Sequence, residues 1–175
     1  TGDAKSEYEA GRLLFTNEDF AGASTKMQHA YELSKDPRLL WNIAACEKRL
    51  RHYAKVIPLV TQYRAEASHL ITPEQMAEAQ EVLNAMRPFV TRVTINVDQP
   101  DAAVRVDDAV VATSPMKQPV LVDMGPHVFK VEKDGFKKWS ESREIPGATE
   151  LVMDVRLVKD LHEGRLIVNA GAKDQ

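Results

Sequence analysis

Met86-Arg87-Pro88-Phe89-Val90-Thr91-Arg92-Val93-Thr94-Ile95-Asn96-Val97 is where this chain changes its period. Before it, apolar residues recur every three or four positions, as on one face of a helix. From Val93 they alternate, with Val93, Ile95 and Val97 on one side and Thr94, Asn96 and Asp98 on the other, as in a half-buried strand. Pro88 marks the change, because it has no N–H for the interior of a helix. The stretch predicts an α+β chain of two modules, antiparallel helical hairpins followed by a small all-β sandwich. The expected bounds are residues 1–90 for the helical module and 91–160 for the β module. Residues 161–175 are read as a tail or the start of a second β repeat.

Working back from the junction, Thr72-Pro73-Glu74-Gln75 is a helix start: Thr as N-cap, Pro at the first helical position, Gln three after the cap. It predicts a fifth helix reaching about Pro88. Tyr53 to Leu70 reads as a fourth, with Pro58 near enough its start to be accommodated or to kink it. Ser34-Lys35-Asp36-Pro37 ends a second helix striped by Phe20, Ala23, Met27, Ala30, Tyr31 and Leu33. It opens a third through Leu40, Ile43, Ala44, Cys46 and Leu50, with Asp36 as the expected N-cap. The first helix covers Ala4 to Phe15, and Asn17-Glu18-Asp19 turns the chain into the second.

Working forward, Val104-Arg105-Val106, Val120-Leu121-Val122, His127 to Lys133 and Glu150 to Leu157 are short apolar alternations. Asp107-Asp108, Gly125-Pro126, Asp134-Gly135 and Pro146-Gly147 are turn signals between them. Short strands with turns at roughly eight to twelve residues predict a small sandwich. Arg165-Leu166-Ile167-Val168-Asn169-Ala170 echoes Arg92 to Val97, which is the reason for expecting a second β repeat; a last strand or a flexible tail is the alternative.

Composition removes several function classes. A net charge of −3 is spread evenly: residues 1–90 hold 11 basic against 12 acidic side chains, and residues 91–175 hold 12 against 14. No basic surface of the kind nucleic acid requires is expected. No apolar run approaches the ~20 residues of a membrane span. Cys46 is the sole cysteine, so neither an intrachain disulfide nor a cysteine metal cluster is expected. The sequence begins at Thr1 rather than Met, as after removal of a signal peptide or an artificial truncation.

Chemistry is sparse. His29, His52, His69, His127 and His162 are scattered, and none belongs to a His-Glu-x-x-His helix. Ser140 and Ser142 lack a Gly-x-Ser-x-Gly elbow, and the glycines stand singly at turns rather than in a phosphate loop. We therefore expect no catalytic group, cofactor or metal, and a non-enzymatic protein. Two binding patches are candidates. Lys48, Arg49 and Arg51, with His52 and Lys55, crowd the end of the third helix, where cations also complement the helix dipole. Lys133, Lys137 and Lys138, with Lys130 and Arg143, surround Phe136 and Trp139.

Gly11 and Ala45 stand 34 positions apart, and Ala10 and Ala44 share that offset. With Phe20, Ala23, Met27, Ala30 and the Asp36-Pro37 turn, the helical half resembles tetratricopeptide repeats, two units plus a capping helix. The β half resembles the PEGA family, through Val93 to Val97, Pro100-Asp101-Ala102-Ala103-Val104-Arg105-Val106-Asp107-Asp108, Gly125-Pro126-His127 and Gly135-Phe136. It departs in having Asp101-Ala102 for the family's Glu-Gly and Asp108 for its Gly. These resemblances imply an exported bacterial protein of the periplasm or cell surface. Its helical half would hold another protein or a peptide segment, with the β half as a second contact or spacer. An alternative is cell-wall polymer or carbohydrate binding through the β half near Trp139.

Overall fold

The computed structural model describes residues 2–161. The helices are α1 (Gly2–Thr16), α2 (Phe20–Ser34), α3 (Arg38–Arg49), α4 (Tyr53–Glu66) and α5 (Pro73–Met86). A single 3-10 turn, Arg87–Phe89, then leads into β1 (Val90–Val97), β2 (Ala103–Val106), β3 (Ala109–Thr113), β4 (Val120–Asp123), β5 (Gly125–Glu132), β6 (Trp139–Ile145) and β7 (Glu150–Val155). Among the described residues no helix is long and apolar enough to cross a membrane. The echo at Arg165–Ala170, like His162, lies outside the described residues.

Local chemistry accounts for the helix ends. Asp19 caps α2 through the Gly22 amide, and Lys35 ends it in the left-handed region at φ 54°. Asp36 accepts the Arg38 amide at 3.0 Å, although Pro37, not Asp36, occupies the position before the helix. Thr72 and Gln75 exchange both bonds of a capping box. α1 and α2 approach closely because Gly11 has no side chain: a Cβ there would stand 2.9 Å from Met27 Cγ and 3.3 Å from the Ala23 carbonyl. α4 stops at Glu66, short of the expected Leu70, where Ala67 and the following turn take over. The helical core joins Leu40, Val56, Val60, Tyr63, Leu83 and Met86 to a smaller cluster of Ala23, Met27, Ile43 and Cys46.

The β module is two packed sheets, ordered β4-β1-β7 and β3-β2-β5-β6. β1 runs antiparallel to β4 and parallel to β7. Its alternation puts Val93 and Ile95 into a core shared with Val104, Phe129, Val131, Ile145, Met153 and Val155. Asp107 and Asp108 both adopt positive φ, 47° and 69°, the conformation a two-residue hairpin turn needs. Two edge strands were not expected. β3 reads Ala-Val-Val-Ala-Thr, without alternation, and four of its five residues are exposed. β6 is polar between Trp139 and Ile145, as befits an edge kept from pairing elsewhere.

Three contacts hold the helical module, the linking turn and the β module together. Tyr53 of α4 stacks on Phe89 of the turn with ring centroids 4.9 Å apart. Gly147 lies so close to Pro88 that an added Cβ would overlap its carbonyl oxygen. The third completes a helix. His52 stands at the N-cap of α4 but caps nothing, because its Nδ1 is turned to Glu47 Oε2 at 2.8 Å. Asp123 of β4 takes its place, Oδ1 accepting the Ala54 amide at 2.7 Å. Burial raises the Asp123 pKa, and the amides of Ala54 and Tyr53 with the imidazoles of His52 and His127 only partly offset it.

Gly147→Ala is expected to lower unfolding free energy by about 1–3 kcal/mol or more, since backbone rather than a flexible side chain must yield. Asp123→Ala should cost about 0.5–2 kcal/mol, the usual effect of losing an N-cap. Urea unfolding of both variants against the parent chain checks these values.

Candidate functional site

Consecutive residues of α3 fan out around its axis. Leu40, Ile43, Ala44, Cys46 and Glu47 turn inward and are buried. Trp41, Asn42, Ala45 and Lys48 line the outer side, facing α1 at one end and α5 at the other. Three adjoining hollows follow this side. The first, of about 450 Å³, lies between Tyr8 and Lys5 of α1 and Arg38 and Asn42 of α3. The second, about 290 Å³, shares Tyr8 and Asn42 with it and adds Arg12, Phe15 and Trp41. The third, about 120 Å³, shares Trp41 and Ala45 with the second and ends at Lys48, Glu78 and Val82.

The trough is aromatic and cationic. Trp41 is held by Tyr63, ring centroids 5.3 Å apart, and Arg12 lies 5.9 Å over the Tyr8 ring. Arg38 is committed to Asp36 at 2.6 Å, and Lys5 pairs with Glu9 at 3.8 Å. Arg12 and Lys48 make no ion pair among the described residues. They lie on either side of Trp41, placed to meet an anion beside an apolar group.

Of the residues singled out in the sequence, Lys48 belongs to this trough. Arg49 leaves it, its guanidinium 4.6 Å over the Phe20 ring. Arg51 lies in the α3–α4 turn at φ 61° and is exposed. His52 and Lys55 go to the opposite side, where Glu47 is buried. The β cluster is dispersed into partners: Lys133 donates to the Pro100 carbonyl at 2.6 Å, Lys138 pairs with Glu132 at 3.0 Å, Lys130 with Asp108 and Arg143 with Glu141 at 3.0 Å. Lys137 is exposed, its amide bonded to the Val158 carbonyl at 2.8 Å. Phe136 and Trp139 are half-buried and pack on the β core. Tyr8, Arg12, Trp41 and Asn42 were missed as site residues. The signal available was an aromatic with a cation one or two turns along, Tyr8 with Arg12 and Trp41 with Lys48.

A larger hollow of about 770 Å³ lies on the α2–α4 side, floored by Ile43. Most of its charges are matched internally, Glu32 meeting only the Gln28 amide among the described residues. Glu7 meets Lys26 at 3.0 Å. Glu47 accepts the Ser24 hydroxyl at 2.6 Å, lies 2.8 Å from His52 and 3.7 Å from Lys55. Burial raises the Glu47 pKa, but these hydrogen bonds and cations outweigh it and the net direction is down. Cys46 beside it is fully buried, and burial with the Glu47 charge pushes its thiol up to about 11. It is a small core hydrophobe, not a nucleophile.

A carboxylate whose pKa is lowered by folding contributes stability above its ordinary value of 4.5, and that stability is lost as pH falls through the folded pKa. Unfolding free energy should therefore drop on acidification below about pH 5, and Glu47→Gln should flatten that part of the profile. Urea titrations of both proteins from neutral pH into the acid range make the comparison.

No protein-family model and no curated protein matches this chain, and the case for its function is the geometry of the trough.

Proposed function

We propose that this protein is a non-enzymatic interaction module that holds a peptide segment of a partner protein along the α1–α3–α5 side. In this reading the helical half is a short tetratricopeptide-like array. α1 with α2 and α3 with α4 are its two hairpins, Gly11 permits the close first pairing, and α5 closes the stack. The β half, read as PEGA-like, is a scaffold fixed to the array through α4 and β4. The resemblance to exported proteins supports the bacterial cell envelope as the place of action.

One observation carries the reading: Arg12 and Lys48, uncommitted to any carboxylate among the described residues, flank the half-buried Trp41 in a continuous trough. A Trp anchor with cations at its rim is a common composition of binding hot spots. A peptide bearing acidic residues around an apolar one satisfies both features.

Affinity capture from a bacterial envelope fraction, with the intact chain as bait, tests the proposal. Trp41→Ala is expected to weaken capture of the retained protein by about thirtyfold, the usual effect of truncating a Trp hot spot. Arg12→Glu with Lys48→Glu should abolish it, while circular dichroism stays unchanged. Equal capture by parent and variants would place the partner elsewhere.

A further inference from the structure

The two edges of the four-stranded sheet are treated differently. β6, at one end, carries Glu141, Arg143 and Glu144, charges that discourage another strand from adding there. β3, at the other end, carries none: its residues are Ala109 to Thr113, with Val110 56% and Val111 38% exposed. Pairing with β2 skips Val111, which opposes no single residue, and such a bulge re-aims the extra side chain. Val111 lines a trough of about 770 Å³ running from β3, past the 114–119 crossover, to β4 and Pro58 of α4. β4 is itself the edge of the three-stranded sheet. The walls are apolar, with Val111, Val120 and Leu121 facing it. Its charged groups are Arg92 and Lys117 alone among the described residues, both cationic. Lys117 makes no ion pair among the described residues, and Arg92 is 3.6 Å from a largely exposed Glu150.

We propose that this trough is a strand-docking site for an extended segment of a partner protein in which apolar and acidic residues alternate. The segment adds to the free edge of β3 through its backbone, lays its apolar side chains against Val111 and Leu121, and directs carboxylates to Lys117 and Arg92. Charge selects this occupant over a second copy of the chain. Pairing β3 with β3 would set two cationic troughs side by side, with Lys117 of each lacking a carboxylate partner among the described residues. The site is separate from the α1–α3–α5 side and does not rest on it.

The test uses the intact chain and a fluorescein-labelled nonapeptide of alternating Val and Glu, with the Val/Lys peptide as control. Anisotropy titration should show binding of the acidic peptide only, weakening with salt. Amide hydrogen exchange should slow across residues 109–113 when it binds. Lys117→Glu with Arg92→Glu should weaken binding by at least about tenfold and transfer the preference to the Val/Lys peptide. Val110→Glu, at an exposed position, should lower affinity without altering the unfolding midpoint, and Trp41→Ala should leave it unchanged. Four outcomes would overturn the proposal. They are failure of the acidic peptide to bind, equal affinity after charge reversal, binding without protection of β3, or β3 protection by self-association in sedimentation runs without peptide.

Discussion

The first turn of α4 has amides that nothing on the helical module satisfies. Its N-cap position holds a histidine whose ring is engaged by Glu47, so the missing acceptor comes from the β module as Asp123. Unmet amides and the positive end of a helix dipole draw a carboxylate to this point. Once Asp123 is seated there, β4 is fixed against α4, and the strand paired with it, β1, is fixed with it. The Tyr53–Phe89 stack and the fit of Gly147 against Pro88 follow from that placement. So does the trough between β3, β4 and Pro58, whose far wall is α4 itself.

Glu47 and Asp123 lie on the two sides of the turn joining α3 to α4, and the protein treats them oppositely. Glu47 is surrounded by a hydroxyl, an imidazole and an ammonium, which together hold its charge despite burial. Asp123 receives amides and more distant imidazoles, and burial prevails. His52 touches the first and faces the second. One side chain thus couples a carboxylate that keeps helices α2 and α3 together to another that keeps the two modules together. That arrangement also explains why His52 is unavailable as a cap. Its counterpart on the sheet is His127, bonded to Asp107 and to the Asp123 carbonyl, which ties the first hairpin turn to the same point.

Features carried by local chemistry were readable in the sequence. The capping box at Thr72 and the change of period after Pro88 each depend on neighbours along the chain, and Gly11 stood out by its 34-residue spacing from Ala45. The strands of the β core were readable because burial on one face imposes alternation. β3 and β6 lie at sheet edges, where burial no longer writes a pattern. The candidate binding residues show the same limit. Lys48, Arg49, Arg51, His52 and Lys55 are close in sequence, but a helix of 3.6 residues per turn followed by a tight turn sends them to different sides. Lys48 lines the same hollow as Trp41, Arg49 lies over Phe20, and Lys55 meets Glu47. The β cluster was a cluster in sequence only: in the fold Lys130 pairs with Asp108, Lys138 with Glu132 and Arg143 with Glu141, and Lys133 is held by the Pro100 carbonyl. Tyr8 and Arg12 of α1 and Trp41 of α3 were missed because the aromatic–cation spacing on each helix does not disclose that stacking brings the two helices into one trough.

The Ala54–Asp123 bond spans 69 positions. A ribosome releases α4 well before it releases β4, so the growing chain carries a helix with an open first turn until the start of the sandwich has emerged. The helical hairpins can collapse early, as local contacts do. The end of α4 nearest the sandwich is completed only when β4, made well after it, supplies Asp123. Assembly of the joint is therefore ordered by the direction of synthesis, and a chain cut short before β4 would expose that unfinished turn.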